Sequence, residues 1–515
     1  MRRAYRMRLL PGAAAMLVSA AWVSGGAAQT GPDAKELLED AVLQSVQSTG
    51  WTGAEWGVLA VSLEHGDTLV ALNPDAPLAP ASNQKLFTSA AALHHLGSDF
   101  RFPTFLLTDG EIVDGILEGS LFLYGTGDPA ISDRLLDSPH LVLRGLAGQL
   151  RTAGIHTVSG ELRADATFFT GPNRSPTWRE RYLDNWYAAP VSALTFQENV
   201  VTLRMRGADI GTPARLIVEP AGAGLRVLNR SVSIPGNSRR RLFLVRDDPR
   251  TIRLEGQIGR EAGELSRVLT VSDPPEIAAS VLKTVLEDEG IRVLGGVSRV
   301  HSPGDSELGR AVTFAPAFAG ASGIRTLAVH YSPPLHELIR VLNHVSHNLY
   351  AEILLFTIGR VASGDGSLAG GKQALGRFLT EVVGIAAGEV RIEDGSGLSA
   401  RNRATPSAYI ELLRHVASTE YAEPLWASLP EAGRSGGLIR RMARSPAAGN
   451  LRAKTGTIRG VSGLSGIVTT ADGEPVLFSI LSNSVPSSSR AKRIEDAIGI
   501  ELASFSRAPR ARATQ

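Results

Sequence analysis

The sequence predicts an α/β protein of the α+β type, with one antiparallel sheet flanked by helices and a long β-rich insertion in mid-chain. Three observations lead there. Each terminal portion carries a helix and a hairpin, too little to close a core alone but enough together for one helix-covered sheet. Between about Ser98 and Ser322, short apolar runs alternate with turn residues, as at Asp109-Gly110, Gly125-Thr126-Gly127 and Asp247-Asp248-Pro249, the punctuation of β-rich structure. From Ser332 onward, helical periodicity returns in "SPPLHELIRVLNHVSHNLYAEILLFTIGRV" and "GGKQALGRFLTEVVGI".

The elements follow in order. Arg2, Arg3, Arg6 and Arg8 precede an apolar run from Leu9 to Val23, and the small residues of "SGGAAQT" suit signal peptidase cleavage after about Ala28. Pro11, Gly12 and Ser19 interrupt that run, which is too short for a stable membrane anchor, so an exported, periplasmic or otherwise extracytoplasmic protein is expected. "DAKELLEDAVLQSVQ" has the spacing of an amphipathic helix, and "EWGVLAVSLEHGDTLVALNPD" reads as a hairpin turning at His65-Gly66-Asp67. A helix is expected to begin near Ser82 and end at Gly97, and another to cover "SAYIELLRHVAS". "GLSGIVTTADGEPVLFSILSN" reads as a closing hairpin turning at Asp472-Gly473, followed by a helix from about Ser488 to Phe505. The basic, aperiodic end, 506–515, reads as a frayed tail.

Composition narrows the chemistry. The 515-residue chain is 43% hydrophobic, and its formal net charge of +2 gives no ground for a nucleic-acid partner. It has no cysteine, which excludes disulfides, thiol nucleophiles and zinc–thiolate sites. Oligomeric state is not readable.

Ser82 and Lys85 lie three residues apart, on one face of a helical turn. A serine hydroxyl is a weak nucleophile until a base takes its proton, and an amine does so near neutrality only if burial or neighbouring positive charge lowers its pKa. The chain uses arginine almost everywhere; its lysines are Lys35, Lys85, Lys283, Lys372, Lys454 and Lys492. Arginine stays protonated, so a lysine in this chain can be kept for its titratable amine. Lys454-Thr455-Gly456-Thr457 precedes the closing hairpin, where a lysine, hydroxyls and a glycine on an edge strand suit an extended peptide ending in a carboxylate. Ser346-His347-Asn348 offers a hydroxyl to pass a proton and an amide to hold a carbonyl. Other signals are weaker. Gly433 to Gly437, "GRSGG", lacks the strand a nucleophile elbow needs, and "GSLAGGK" has Gln373 where a phosphate loop needs Ser or Thr. His344 and His347 lack an evident third metal ligand.

The order S-x-x-K, S-x-N, K-T-G resembles the signature set of active-site serine penicillin-binding proteins and β-lactamases. With "YGTGDPAIS", "DNWYAAPVSALTFQEN", "EDGSGLSARN" and "LPEAGRSGGLIRRM", the chain from about Asp33 to Phe505 resembles the D-alanyl-D-alanine carboxypeptidase/endopeptidase family of class C low-molecular-mass penicillin-binding proteins. The resemblance implies a transpeptidase/β-lactamase-like domain at 29–97 and 323–505, an inserted domain at 98–165 and 262–322, and a further one at 166–261. It implies no cofactor or metal, with peptidoglycan stem peptides and β-lactams as ligands. Ser82 would attack the carbonyl between two D-alanines, Lys85 would be its base, Ser346 would relay a proton to the departing amine, and Lys454 would keep the Lys85 amine partly neutral and attract the substrate carboxylate. Asn348 would bind the acyl-side amide, Thr455, Gly456 and Thr457 the carboxylate end, and the N–H groups of Ser82 and Thr457 the oxyanion. The resemblance also makes Asp165 the carboxylate that reads a diaminopimelate ammonium, with Phe168 or Phe169 as a wall and Arg401 in the same pocket. Arg459 departs from that pattern, because a second positive charge beside an ammonium is unfavourable. A β-lactamase of the same fold, or a non-catalytic peptidoglycan-binding protein, remains open at this point.

Overall fold

Both ends of the chain build one sheet. The computed structural model describes residues 33–238, 241–305 and 324–508; the expected signal, 1–28, and most of the expected tail lie outside the described residues. The first hairpin is β1 (Glu55–Ser62) and β2 (Thr68–Leu72); the last three strands are β3 (Arg452–Ile458), β4 (Val461–Thr469) and β5 (Pro475–Asn483). Their order across the sheet is β2-β1-β5-β4-β3, antiparallel throughout, with Glu55 opposite Asn483 and Lys454 opposite Ser465.

Alternation along β1 explains its apolar run. Val58 and Ala60 pack on one face with Val42 of the helix Ala34–Gln47 and Ile498 of the helix Ser488–Ser504. Leu59 and Val61 pack on the other, with Ile410 and Leu413 of the helix Pro406–Ala417. A central strand covered on both faces needs apolar residues at successive positions. Beneath the sheet, the helices Gln84–Leu96 and Asn348–Ser363 are buried nearly all round over Gln84–Leu93 and Asn348–Gly359, the pattern of core helices. Their N-terminal ends and the edge strand β3 carry the three motifs.

The inserted part differs from expectation at its borders. A five-stranded sheet runs Val297–Val300, Leu162–Asp165, Leu121–Gly125, Pro103–Thr108, Arg325–Tyr331. The last of these was expected in the first domain, from 323, but pairs with Pro103–Thr108, so the chain returns only after Tyr331. Deeper in the insert, two three-stranded sheets use strands between Val200 and Thr270. Residues 166–199, expected within that β-rich unit, form no strand and instead hold three short 3₁₀ turns. Turn-rich sequence alone does not distinguish a strand from such a crossing segment.

The tail also needs correction where it is described. Arg507, expected to fray, donates to Asp67 Oδ1 at 2.8 Å and to Glu474 Oε1 at 2.7 Å. Hydrogen bonds from Arg507 and then Lys35 hold the Asp67 carboxyl well below the usual carboxylate range. A depressed carboxylate pKa stabilises the fold above the unfolded value, near pH 4, and that contribution disappears as pH falls through the folded one. The pair is about a third exposed, so Arg507→Ala should cost only about 0.5–1 kcal/mol at pH 7. Denaturant midpoints should show the gap from the parent closing below about pH 4; an equal gap at both pH values would refute the linkage.

Candidate active site

Ser82 does not lie in the long helix itself. It occupies a 3₁₀ turn, Ala81–Asn83, just ahead of the helix Gln84–Leu96, and Ala81 enters that turn with φ +47°. Lys85 follows in the first helical turn and is fully buried, while Ser82 is partly exposed. The Lys85 Nζ donates to Ser82 Oγ at 3.0 Å, to Asn348 Oδ1 at 2.7 Å and to the Ser396 carbonyl at 2.6 Å. An ammonium has three donors, and all three are used. A neutral amine has two, so the Asn348 and Ser396 oxygens take both and the lone pair is left directed at the serine hydroxyl.

Electrostatics make that neutral form accessible. Burial pulls the Lys85 pKa down and the nearby Asp394 and Glu352 carboxylates pull it partly back, leaving it lowered to about 7. Lys454 is also fully buried; burial first, then the charge of Lys85, push it well below its usual value. Its Nζ donates to Ser346 Oγ at 2.9 Å and to the Thr455 carbonyl at 2.9 Å. Ser346 itself has φ +59°, in the bend between the helices Leu335–His344 and Asn348–Ser363. Two hydrogen-bonded groups result, Lys85 with Ser82 and Asn348, and Lys454 with Ser346, joined through the backbone of Ser346-His347-Asn348.

Close backbone approach explains two glycines. A Cβ on Gly456 would stand 2.7 Å from the Pro80 carbonyl oxygen, 2.7 Å from Asn83 Nδ2 and 3.0 Å from the Ser82 nitrogen. Residue 456 must be glycine for β3 to touch the serine turn, and Thr455 and Thr457 flank that contact. Gly397 has φ +80°, and a Cβ there would fall 1.8 Å from the Ala81 carbonyl oxygen.

Further residues complete the site without having been singled out in the sequence. Glu352 is buried four residues after Asn348, and accepts from the Gly395 nitrogen at 3.1 Å and the Ser396 nitrogen at 2.8 Å. It thereby shapes the loop whose Ser396 carbonyl holds Lys85. Burial, then the Asp394 charge, push the Glu352 pKa upward. Asp394 accepts from Trp178 Nε1 at 2.8 Å, the Gly397 nitrogen at 2.8 Å and Asn402 Nδ2 at 2.8 Å. Asn348 Nδ2 donates to the Tyr187 carbonyl at 2.7 Å. The i, i+4 spacing of Asn348 and Glu352 was the available signal; the contacts of Tyr187 and Trp178 are too distant in sequence to leave one.

The remaining expected residues divide. Arg401 lines a cleft of about 290 Å³ with Arg179, Tyr182, Leu398, Ile458 and Arg459, at the end of β3 beyond Thr457. Asp165 and Phe168 do not join it. Asp165 is 0% exposed, and its Oδ1 accepts from the Thr167 nitrogen at 2.9 Å and Oγ1 at 2.7 Å. Phe168 packs with Phe105, Phe122 and Tyr124 in the core of the inserted sheet. Both residues thus sit on the inserted sheet, apart from the cleft that Arg401 lines.

Comparison with known proteins agrees with this arrangement. The model of the D-Ala-D-Ala carboxypeptidase 3 (S13) family matches residues 38–504. The chain belongs to that family. It is 32% identical over 503 residues to a D-alanyl-D-alanine carboxypeptidase of Actinomadura sp. (strain R39), covering 92% of this chain and 84% of the other. The D-alanyl-D-alanine carboxypeptidase DacB of Haemophilus influenzae is 27% identical, over 83% of this chain and 85% of its own. A crystal structure of penicillin binding protein 4 (dacB) from that organism superposes with a TM-score of 0.76 at 26% identity, covering 90% of this chain and 99% of that one. This S13 protein is thus a serine peptidase of the D-Ala-D-Ala carboxypeptidase class, with the α/β fold of penicillin binding protein 4.

The glycine contact yields a direct check on the S13 site. Gly456→Ala should lower stability by about 1–3 kcal/mol and, in the folded protein, slow acylation by a fluorescent penicillin by about 100-fold, because displacing β3 by a fraction of an ångström misplaces it against Ser82. Parent-like acylation would show that the contact is not needed.

Proposed function

We propose that Ser82 is the nucleophile of a DD-peptidase that removes terminal D-alanine from peptidoglycan stem peptides and opens D-alanyl–diaminopimelate cross-links. The observation that carries this reading is the Lys85 amine, buried beside Ser82 with its other two contacts both acceptors. Neutral Lys85 takes the hydroxyl proton as Ser82 Oγ bonds to the carbonyl carbon of the penultimate D-alanine. The developing oxyanion meets the N–H groups of Ser82 and Thr457, from the turn and strand that Gly456 allows to touch. As the C–N bond breaks, the departing amine gains a proton through Ser346 from the lysine pair, Lys85 and Lys454. Water then hydrolyses the Ser82 ester and restores the hydroxyl. The acyl chemistry is the same whether the leaving amine belongs to free D-alanine or to a cross-linked stem, so both reactions belong to one site.

β3 is an edge strand, able to receive an extended peptide by strand addition, with Thr455 and Thr457 beside the leaving carboxylate. The arginines Arg179, Arg401 and Arg459 around one cleft favour a carboxylate on the acyl-side stem and disfavour a free ammonium there. β-Lactams acylate Ser82 in the same way. The arginine-led apolar leader supports action outside the cytoplasm.

Several measurements test the reading. Fluorescent penicillin should label the protein for many minutes and leave Ser82→Ala unlabelled; rapid drug turnover would instead mark a β-lactamase. If neither label nor D-alanine release from a stem pentapeptide appeared, a binding protein would replace the enzyme. Mass spectrometry of digested sacculi should show both D-alanine loss and cleaved cross-links. Acylation should rise with pH through about 7, where Lys85 loses its proton, being about tenfold slower at pH 6 than on the plateau above pH 8. A flat profile would remove Lys85 from the role of base. Arg459→Gln should raise kcat/KM for a peptide with a free side-chain ammonium about tenfold relative to its acetylated form; an unchanged ratio would dissociate this cleft from stem recognition.

A further inference from the structure

His347, between Ser346 and Asn348, has neighbours on both sides that bond the catalytic lysines, yet its own side chain is only 1% exposed. It turns away from the site, toward the inserted part of the chain. Its Nε2 stands 3.0 Å from Glu198 Oε2, and its ring lies between Trp186 and Tyr350, with centroids 5.7 Å and 4.8 Å away. Glu198 also accepts from Arg134 Nε, and from Arg134 Nη2 at 2.8 Å. Burial pushes the Glu198 pKa up, but the hydrogen-bonded Arg134 and then the neighbouring His347 ring outweigh it and leave the pKa lowered to about 2. The group is a fixed anion wherever the enzyme works.

The backbone beneath this contact is unusual. Gln197, Glu198 and Asn199 have φ of +50°, +55° and +58°, successive non-glycine residues in the left-handed region. Single residues visit that region at a cost, and a run of them persists only where the surroundings hold it. The Gln197 nitrogen donates to the Ile131 carbonyl at 2.8 Å, Asn199 Nδ2 donates to the Pro190 carbonyl at 2.8 Å, and the Asn199 carbonyl accepts from the Val271 nitrogen at 3.0 Å. Ser346 on the other side is left-handed too. Glu198 thus stands on left-handed backbone and His347 directly follows a left-handed residue, which suits a device that fixes position more than one that fills space.

We infer that Glu198, braced by Arg134, is a positioning residue for the peptidase reaction. It fixes the His347 ring and, through it, keeps Ser346 Oγ on Lys454 and Asn348 Oδ1 on Lys85. The inference rests on the proposed roles of Ser346, Asn348 and the two lysines.

Stopped-flow acylation of the full chain by a fluorescent penicillin, resolving the initial binding constant from the acylation rate constant, tests it alongside thermal denaturation. Glu198→Gln keeps size and removes charge; it should lower the acylation rate constant about tenfold while binding stays within about twofold. Arg134→Met, at a side chain about a third exposed, should lower the same constant by about threefold without unfolding the protein. With His347 already changed to Asn, adding Glu198→Gln should slow acylation by less than about twofold, since the connection is gone. Full-rate acylation by Glu198→Gln would overturn the inference, as would a second tenfold loss in the His347→Asn background. If Glu198→Gln did not fold, parent-like acylation by Arg134→Met would overturn it. Labelling of Ser82→Ala would instead sink the acyl-enzyme reading, whereas an unlabelled Ser82→Ala beside a full-rate Glu198→Gln sinks this inference alone.

Discussion

The structure depends on keeping two lysine amines, Lys85 and Lys454, out of water in one small space. Burying an ammonium without full compensation is costly, and two such charges side by side also repel. The pair is stable there because each nitrogen has oxygen acceptors within 3.0 Å, and because Glu352 and Asp394 are buried close by. The same dry surroundings that penalise the charged amines supply an uncharged one at neutral pH. A water-filled cleft with the same residues would return both lysines toward their ordinary values and leave no neutral amine beside the serine hydroxyl.

Dryness has to be built from several directions. Two helices buried on all sides present their N-terminal ends to the site, one through the 3₁₀ turn of Ser82 and one through Asn348. The edge strand β3 comes close enough to seal it only because Gly456 has no side chain. Residues 166–199 then close another side, with the Tyr187 carbonyl on Asn348 and the Trp178 indole on Asp394. The insertion is thus part of the wall around the lysine pair, not an appendage carried beside it.

Much of this was legible in the residues. The three motifs in order, the scarcity of lysine, both hairpins and the helices around Lys85 and after Ser332 all appear where periodicity and turn chemistry placed them. Local patterns carry such information because their causes are local. The outer borders of the insertion were less legible, since Arg325–Tyr331 finds its partner at Pro103–Thr108, more than 200 residues earlier, and nothing local announces it. Asp165 was paired with Arg401 by resemblance alone, and no local pattern gives the distance between them; in the structure the Thr167 amide and hydroxyl engage Asp165 on the inserted sheet. Glu352, an acid in an apolar helix, declares its purpose only through its partners, the Gly395 and Ser396 amides, which lie more than 40 residues away in sequence.

The sheet order carries a consequence for how the molecule comes into being. β1 pairs with β2 at once, but its other edge belongs to β5, with Glu55 opposite Asn483. During synthesis that edge stays unpaired until nearly the whole chain has been made, and the site cannot dry before β3 arrives. Such distant pairing makes for slow assembly, since a large loop must be closed before the contacts repay it. The environment of Ser82 is therefore completed late, and a chain truncated before β3 would retain the serine turn but not the strand packed against it.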